Sequence, residues 1–256
     1  MIQIPKKISI IIITRNRANF VARAIESAQK QNFTDWELLI LDDDSNDNTK
    51  TIIETYINKD SRIKYHKNSP ALGISKNRNK GVSLSRGEYI AMLDSDDYWI
   101  DNNKLQKQIE ILEKNKNIGL IGSNIICVDK EDKKLNKSNY KTKSEDIKQK
   151  ILINNQFAQS SIVFRKDILN QVGGYNEKLD VCEDLDLWLK IGRFCDFANI
   201  KDVTTAYMVH PGGISKQRKF KMAKNMLDII EINKNYYPNY IIAKIIAILR
   251  ILKSLF

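Results

Sequence analysis

The stretch "YIAMLDSDDYW", residues 89–99, joins an apolar run to three carboxylates within four positions. The run is typical of a short buried strand. Carboxylates this close repel one another, and removing them from water is costly unless a cation joins them. Asp94, Ser95 and Asp96 form a D-x-D that can hold a hard divalent cation, with a ligand phosphate completing its shell. An acidic turn that caps the following helix is the alternative explanation.

The segments before this strand alternate between strand and helix patterns. "KISIIIIT" (7–14) and "WELLILDDDSND" (36–47) begin with continuous apolar runs, as strands buried on both faces do. The alternation predicts an α/β fold with a Rossmann-like, mostly parallel sheet flanked by helices on both faces. Ligands bind such sheets beyond the carboxyl ends of the strands. Helices are predicted over 19–31, 49–59 and 73–87, and a short strand over 62–68.

The chain after residue 100 has a less regular pattern. It predicts a helix over 101–114, a strand or hairpin arm over 118–129, a mobile polar loop over 130–146, a strand running into a helix over 160–169, and a loop followed by a helix over 173–192.

Two further acidic clusters adjoin apolar segments. Asp42 and Asp43 end a buried strand, where a carboxylate can accept from a uracil or ribose group, although "DDDSND" is also rich in turn formers. Glu183, Asp184 and Asp186 open an apolar helix. A favourable interaction with the helix dipole explains why Glu183 and Asp186 stand at the start of a helix. The functional alternative is that one carboxylate of this cluster acts as a general base.

The bulk composition limits the class of protein. With 42% hydrophobic residues in a 256-residue chain, a substantial core is expected. Residues 216–256 carry nine Lys/Arg against two acidic residues, and so supply seven of the eleven net positive charges. Such a basic tail suits an anionic surface, either nucleic acid or lipid headgroups. Three widely spaced cysteines argue against a disulfide framework, and no run of about 20 apolar residues predicts a membrane span.

Two other classes of protein fit poorly. "TRNRAN" follows the first strand where a nicotinamide dehydrogenase would have G-x-G-x-x-G, and a P-loop is also missing from the sequence. In a nucleic-acid binder, aromatic residues would be interleaved along a basic groove, whereas the tail's tyrosines cluster beside Pro238. No nucleic-acid partner is therefore predicted.

The ordered motifs of the chain resemble those of the inverting family 2 glycosyltransferases of the GT-A fold, of the bacterial polysaccharide and O-antigen type. The resemblance covers about residues 5–215. It rests on "SIIIITRNR", "AIESAQKQNFTDWELLILDDDSNDNT", "NSPALGISKNRNKG", "GEYIAMLDSDD", "VGGYNEKLDVCEDLDLWLKI" and "YMVHPGGIS".

The resemblance implies a donor site for a UDP-sugar. Asp43 would bind the uracil, with Asp42 supporting it. Arg15 and Asn16 would lie near the nucleotide, and Arg78 near the base or the diphosphate.

The resemblance also implies a metal site and a base. Asp94 and Ser95 would contact the ribose or metal-bound groups. Asp96, with Asp94 and His210, would hold Mn²⁺ or Mg²⁺, and Asp184 would be the catalytic base.

Two positions depart from the family pattern. Arg15 stands where the family usually has Tyr, which puts stacking on the nucleotide in question. Asp44 replaces the usual Gly after the Asp42–Asp43 pair, which puts the geometry of that turn in question.

The expected organisation is a catalytic domain over 1–215 followed by a tail. The nucleotide-sugar half would cover about 1–100 and the acceptor half about 101–215, with a basic amphipathic helical tail over 216–256. "YIIAKIIAILRILKSLF" (240–256) suits a helix lying on an anionic membrane surface, and the alternative is packing on the domain or on a second subunit.

The expected function is transfer of a hexose or N-acetylhexosamine from a UDP-sugar to a saccharide, such as one linked to a polyprenyl diphosphate. The expected location is cytoplasmic, peripheral on the inner face of the membrane, with an oligomer possible. The alternative is an α/β protein that binds nucleic acid or another anionic surface without transferase activity.

Overall fold

A computed structural model describes residues 7–210 and 218–254, in which one nine-stranded sheet is flanked by helices. The strands are β1 (Ile8–Thr14), β2 (Trp36–Asp42), β3 (Ile63–Lys67), β4 (Tyr89–Asp94), β5 (Tyr98–Trp99), β6 (Ile118–Val128), β7 (Lys134–Lys137), β8 (Val163–Arg165) and β9 (Asp196–Met208). The α-helices are α1 (Val21–Gln29), α2 (Thr49–Ile57), α3 (Ile74–Leu84), α4 (Lys104–Lys114), α5 (Ser144–Lys150), α6 (Leu169–Val172), α7 (Glu183–Ile191), α8 (Lys219–Asn233) and α9 (Tyr240–Lys253). Two 3₁₀ turns cover Gln159–Ser161 and Lys166–Ile168.

The sheet confirms the predicted mostly parallel arrangement. Its order is β3-β2-β1-β4-β8-β6-β9-β5, and β7 pairs with β6. β1 to β4, β6 and β9 all run in the same direction. β8 lies between β4 and β6 and runs against both, and β5 and β7 are also antiparallel to their partners. The carboxyl ends of the six parallel strands therefore meet at one edge.

Alternate residues of the central strands enter two cores, one on each face of the sheet. Ile10 and Ile12 pack with α1, α2 and α4, whereas Ile11 packs with α3, α5, α7, α8 and α9. A strand covered on both faces needs apolar residues throughout, which explains the unbroken run of isoleucines in β1.

The structure contains secondary-structure elements that the sequence pattern does not predict. β9 was not predicted, and the expected loop over 130–146 holds β7 and the start of α5. Cys127, Cys182 and Cys195 are free thiols. Within residues 7–210 and 218–254, no helix is long and apolar enough to cross a membrane.

The C-terminal helices pack on the catalytic part of the chain. Ile229 and Ile230 of α8 and Ala243 and Ala247 of α9 belong to the same core as Trp188. This is the packing arrangement that stood as the alternative to membrane association, although one face of α9 remains exposed.

Candidate active site

A cleft of about 1380 Å³ lies at the edge where the parallel strands end. It gathers most of the predicted site residues: Arg15, Asn16, Asp43, Arg78, Asp94, Ser95, Asp96, Asp184 and His210 all line it. These residues come from positions as far apart as 15 and 210, so the fold brings the predicted groups together. Asp42 is the exception.

The end of β2 anchors the loop that leads into α3. The Asp43 carboxylate accepts hydrogen bonds from Asn68 Nδ2 at 2.9 Å, from the Leu72 N–H at 2.7 Å and from the Gly73 N–H at 2.9 Å. Gly73 has φ +87°, a conformation that glycine adopts readily, at the entry to the helix. Asp43 thus lies in the wall of the cleft, held by three protein donors.

Asp42 does not line the cleft, so it would support Asp43 from within the fold without contacting the nucleotide. It is fully buried, and its oxygens accept from the Ser45 N–H at 2.9 Å and the Tyr65 hydroxyl at 2.6 Å. Successive residues of a strand face opposite sides, so the neighbour of Asp43 turns into the sheet's other face. Its support is limited to shaping the turn after β2.

The turn after β1 is fixed to the turn after β2. Asn16 has φ +52°, and its N–H donates to Ser45 Oγ at 2.9 Å while its Oδ1 accepts from the Asn46 N–H at 3.0 Å. Arg15 is exposed in the cleft. The side chain of Arg15 is thus free of the turn that Asn16 forms.

Arg78 connects the acidic end of β4 to the acidic start of α7. Its guanidinium is buried and donates to Asp94 Oδ1 at 2.8 Å and to Glu183 Oε1. Burial raises the pKa of Asp94, and the charge of Arg78 opposes that rise. Arg78 lines the cleft as predicted, and the protein's own carboxylates occupy both terminal nitrogens. The positive charge that compensates the Asp94 carboxylate is therefore that of Arg78.

Asp96 meets His210 across the cleft. Asp96 Oδ2 lies 3.0 Å from His210 Nε2 and 3.7 Å from Arg17 Nε, and the imidazole stacks on Phe20 with 5.4 Å between ring centroids. Arg17 was not singled out from the sequence, although it belongs to the "TRNR" turn that follows the first strand.

Asp97 positions the loop and makes no contribution to the cleft lining. Its buried carboxylate accepts from Ser160 Oγ and from the Met208 N–H at 2.8 Å. Burial raises its pKa well above the usual range, and the charges of Asp96 and Asp94 act in the same direction. Because Met208 ends β9 two residues before His210, Asp97 helps to hold His210 opposite Asp96.

Asp184 is partly exposed at the start of α7, on the floor of the cleft. Burial raises its pKa, the charge of Arg78 lowers it, and the charge of Asp94 raises it further. Asn155 Nδ2 donates to Asp184 Oδ2 at 3.2 Å. No sequence signal identified Asn155, because it lies in a polar segment 29 residues from its partner.

Two of the three side chains expected to bind the metal, Asp96 and His210, are in contact. They supply one carboxylate and one imidazole, ligands that Mn²⁺ accepts. Over the described ranges, His, Cys, Asp and Glu side chains form no group of three or more with metal-binding geometry. Any further ligands would come from Asp94, from a substrate or from water.

The model for the family described as "Glycosyl transferase family 2" matches residues 9–173, more than half of the chain. The chain belongs to this family. The match covers the cleft residues up to Gln159 and ends before Asp184 and His210. Family membership favours the transferase over the alternative of a binding protein without transferase activity.

Characterised and uncharacterised relatives agree with this assignment of a family 2 glycosyltransferase. The UDP-Glc:α-D-GlcNAc-diphosphoundecaprenol β-1,3-glucosyltransferase WfgD of Escherichia coli is 31% identical over 87% of this chain and 85% of its own length. An uncharacterised glycosyltransferase of Methanocaldococcus jannaschii is 32% identical over 72% of this chain, which spans 63% of that relative.

Solved structures of glycosyltransferases share the fold. TarS of S. aureus, crystallised with UDP-GlcNAc, superposes with a TM-score of 0.70 at 20% identity, over 88% of this chain and 66% of that one. The mannosyltransferase PcManGT of Pyrobaculum calidifontis, in complex with GDP-Man and Mn²⁺, superposes with a TM-score of 0.71 at 13% identity, over 99% and 76%.

Proposed function

We propose that this family 2 glycosyltransferase moves a hexose or an N-acetylhexosamine from a UDP-sugar to a hydroxyl of a lipid-linked saccharide, inverting the anomeric carbon. The observation that carries the proposal is the position of Asp184. Its carboxylate lies in the same cleft as Asp43 and Asp96 but on a separate element, the start of α7. Direct displacement requires this arrangement, with a base beside the acceptor and a donor site across the cleft.

The donor would lie against the ends of β1, β2 and β4. A carboxylate has about four lone-pair sites, and three protein donors reach Asp43. Asp43 can therefore accept one more hydrogen bond, such as that from the imide N–H of uracil. Arg15 and Asn16 would face the nucleotide from the turn after β1, with Ser95 beside the ribose.

Asp96 and His210 would hold a divalent cation, with Asp94 nearby. When bound, the cation would neutralise the charge that develops on the leaving diphosphate. The Mn²⁺ in the mannosyltransferase complex supports this assignment at the level of the shared fold. Arg17, 3.7 Å from Asp96, adds a second positive charge at the same end of the cleft.

Asp184 would take the proton of the acceptor hydroxyl. The acceptor oxygen then bonds to the anomeric carbon as the bond to UDP breaks on the opposite face, which inverts the configuration. The raised pKa of Asp184 makes it a stronger base than an exposed aspartate. The hydrogen bond from Asn155 to one carboxylate oxygen would orient Asp184 toward the acceptor.

The acceptor class follows from the relatives. WfgD uses a sugar on diphosphoundecaprenol, and a Campylobacter jejuni relative is a β-1,3-glucosyltransferase acting on a saccharide linked to PP-undecaprenol. A lipid-linked acceptor would bring the enzyme to a membrane surface, where the basic C-terminal tail can meet anionic headgroups.

The first test combines donor binding with turnover. The purified protein is titrated with UDP-Glc, UDP-Gal, UDP-GlcNAc, UDP-GalNAc and GDP-Man, with and without Mn²⁺, and UDP release is followed with GlcNAc-diphospholipid as acceptor. We expect a metal-dependent response to UDP-sugars. No response to any UDP-sugar from the folded protein would contradict the donor assignment.

The Asp184→Asn variant tests the base. It should lose transfer by at least about a thousandfold while its UDP affinity stays within about twofold, since only the transition state needs the base. Asp186→Asn is the matched control, because Asp186 lies on the same helix and pairs with Lys190 outside the cleft lining. Turnover retained by Asp184→Asn would remove Asp184 from the mechanism.

A further inference from the structure

One wall of the cleft is basic and comes from the two C-terminal helices. Arg218 and Lys219 lie at the start of α8, and Arg250 and Lys253 lie in the last turn of α9. Asp184 lines the same cleft. This wall, which we call the basic wall, comes from other elements than the proposed donor residues, which follow β1, β2 and β4.

Most of the basic wall has no compensating carboxylate within residues 7–210 and 218–254. Asp180 pairs with Arg218, and also with Lys221 at 2.7 Å. The Arg250 guanidinium is in contact with Met226 Sδ at 2.8 Å and the Ile153 carbonyl oxygen at 3.5 Å, both uncharged. Cations gathered without counter-charges in a cleft favour the binding of an anion.

The anion must be part of a molecule that reaches the base, because the basic wall and Asp184 share one cleft. The donor's diphosphate is assigned to the cation that Asp96 and His210 would hold. A second anionic group in the cleft therefore belongs to the acceptor.

The outer face of α9 is apolar. Ile241, Ile245, Ile248 and Leu252 follow one another at helical spacing and are 40–69% exposed. Ile242 and Leu249 widen this stripe, while Ala243 and Ala247 face the core on the other side. A continuous exposed apolar stripe on a helix marks a surface for an apolar partner. The same helix thus offers cations to the cleft and an apolar face beside them.

We propose that the basic wall binds the diphosphate of a polyprenyl-diphosphate-linked acceptor, and that the lipid chain leaves the cleft along the apolar stripe of α9. The inference rests on the proposed function for the nature of the acceptor. The basic wall matches the charge of the diphosphate, and the apolar stripe matches the hydrocarbon chain. Arg250 is the central contact, since a guanidinium can bind a phosphate through two nitrogens.

Farnesyl diphosphate is the probe, because it carries the diphosphate and a short polyprenyl chain without any sugar. Its binding to the full chain is measured by calorimetry with UDP and Mn²⁺ saturating, which keeps the donor end occupied. We expect the dissociation constant of the double variant Arg250→Met/Lys253→Met to rise at least tenfold. Its UDP affinity should stay unchanged, and farnesol should bind weakly to wild type and variant alike.

The matched control is Lys224→Met/Lys234→Met. It removes the same two charges from exposed positions on or just beyond α8 that do not line the cleft. Equal weakening in both double variants would mean a general attraction to anions, and would overturn the inference. Displacement of farnesyl diphosphate by UDP would also overturn it. UDP binding tests the proposed function, whereas farnesyl diphosphate binding tests the role of the basic wall, so the two proposals can fail separately.

Discussion

At the scale of single residues, the site depends on Arg78. Three carboxylates from two distant segments, Asp94, Glu183 and Asp184, lie close enough for its charge to act on each. Arg78 bonds directly to the first two. Without it, like charges would face one another in a partly desolvated cleft. The arginine therefore makes it possible for an acidic strand end and an acidic helix start to share one site.

Replacing Arg78 with Met should reduce the free energy of unfolding by about 3–5 kcal/mol, since it leaves the buried Glu183 and the partly buried Asp94 without their cation. Arg23→Met removes an exposed pair with Asp132 and should cost about 1 kcal/mol or less. Urea unfolding of both variants measures the difference. Similar losses in the two would mean that the Arg78 bridge adds no more than a surface pair.

The pH dependence of transfer should report on Asp184. The base must be deprotonated to act, and burial raises its pKa. We therefore expect kcat/KM to fall as the pH is lowered, with a midpoint above the ordinary aspartate value of about 3.9. Because the charge of Arg78 lowers the pKa of Asp184, the midpoint should move to higher pH in Arg78→Met, which removes that charge. A profile with a midpoint below 4 would contradict the raised pKa.

Some of the site could be predicted at this scale and some could not. Asp43, Asp96 and Asp184 follow acidic patterns that stand out beside apolar runs. Asp44 could be recognised as a departure, and it takes φ +65°, so the turn keeps the left-handed conformation that glycine would adopt there. The contacts of Arg17 with Asp96 and of Asn155 with Asp184 depend on how distant segments pack, which no local pattern records.

At the scale of elements, the short 3₁₀ turn Gln159–Ser161 supports the acidic loop after β4. Ser160 Oγ donates to the Asp97 carboxylate and accepts from the Asp94 N–H at 3.0 Å. The Ser160 carbonyl oxygen accepts from Trp99 Nε1 at 2.7 Å. The turn thus holds both ends of the D-S-D-D sequence.

Ser160→Ala should cost about 2–4 kcal/mol of stability, because two hydrogen bonds to buried groups are lost. It should also weaken Mn²⁺-dependent UDP binding, since Asp94 and Asp96 lose their support. Ser161→Ala is the control: Ser161 is equally buried, and its hydroxyl donates to the Ala158 carbonyl oxygen within the turn. Unchanged UDP affinity in Ser160→Ala would show that the turn does not order the site.

Whether a strand can be predicted from the sequence depends on whether its polar side chains hydrogen-bond to distant segments. β1 and β2 are dominated by apolar residues, and their apolar runs predict both strands directly. β9 contains the buried polar residues Asn199, Thr204 and Thr205, which leave it without the apolar run that marks β1 and β2. Asn199 donates to the Lys141 and Gln156 carbonyl oxygens, and Thr204 bonds to Ser123, so distant segments make that strand stable.

At the scale of the whole molecule, the C-terminal hairpin of α8 and α9 completes the core and one wall of the cleft together. The Tyr237 hydroxyl donates to the Leu189 carbonyl oxygen at 2.7 Å, and Arg193 donates to Asn233 Oδ1 at 2.7 Å, which ties the hairpin to α7 and the turn after it. Asp184 lies in the first turn of α7. The stability of the hairpin and the position of the base are therefore linked.

Because of this linkage, the same substitution at two adjacent positions of α9 should have very different effects on the free energy of unfolding. Ala247 is fully buried against the core, whereas Ile248 is 40% exposed. Ala247→Asp should lower the free energy of unfolding by about 3 kcal/mol or more, because it places an unpaired carboxylate in the packed interface. Ile248→Asp should change it by less than about 0.5 kcal/mol, as surface substitutions do. Urea unfolding followed by tryptophan fluorescence measures both. If residues 216–256 were a tail independent of the catalytic domain, Ala247→Asp would leave the main unfolding transition unchanged. A loss confined to Ala247→Asp would instead mean that the hairpin unfolds with the domain whose cleft it closes.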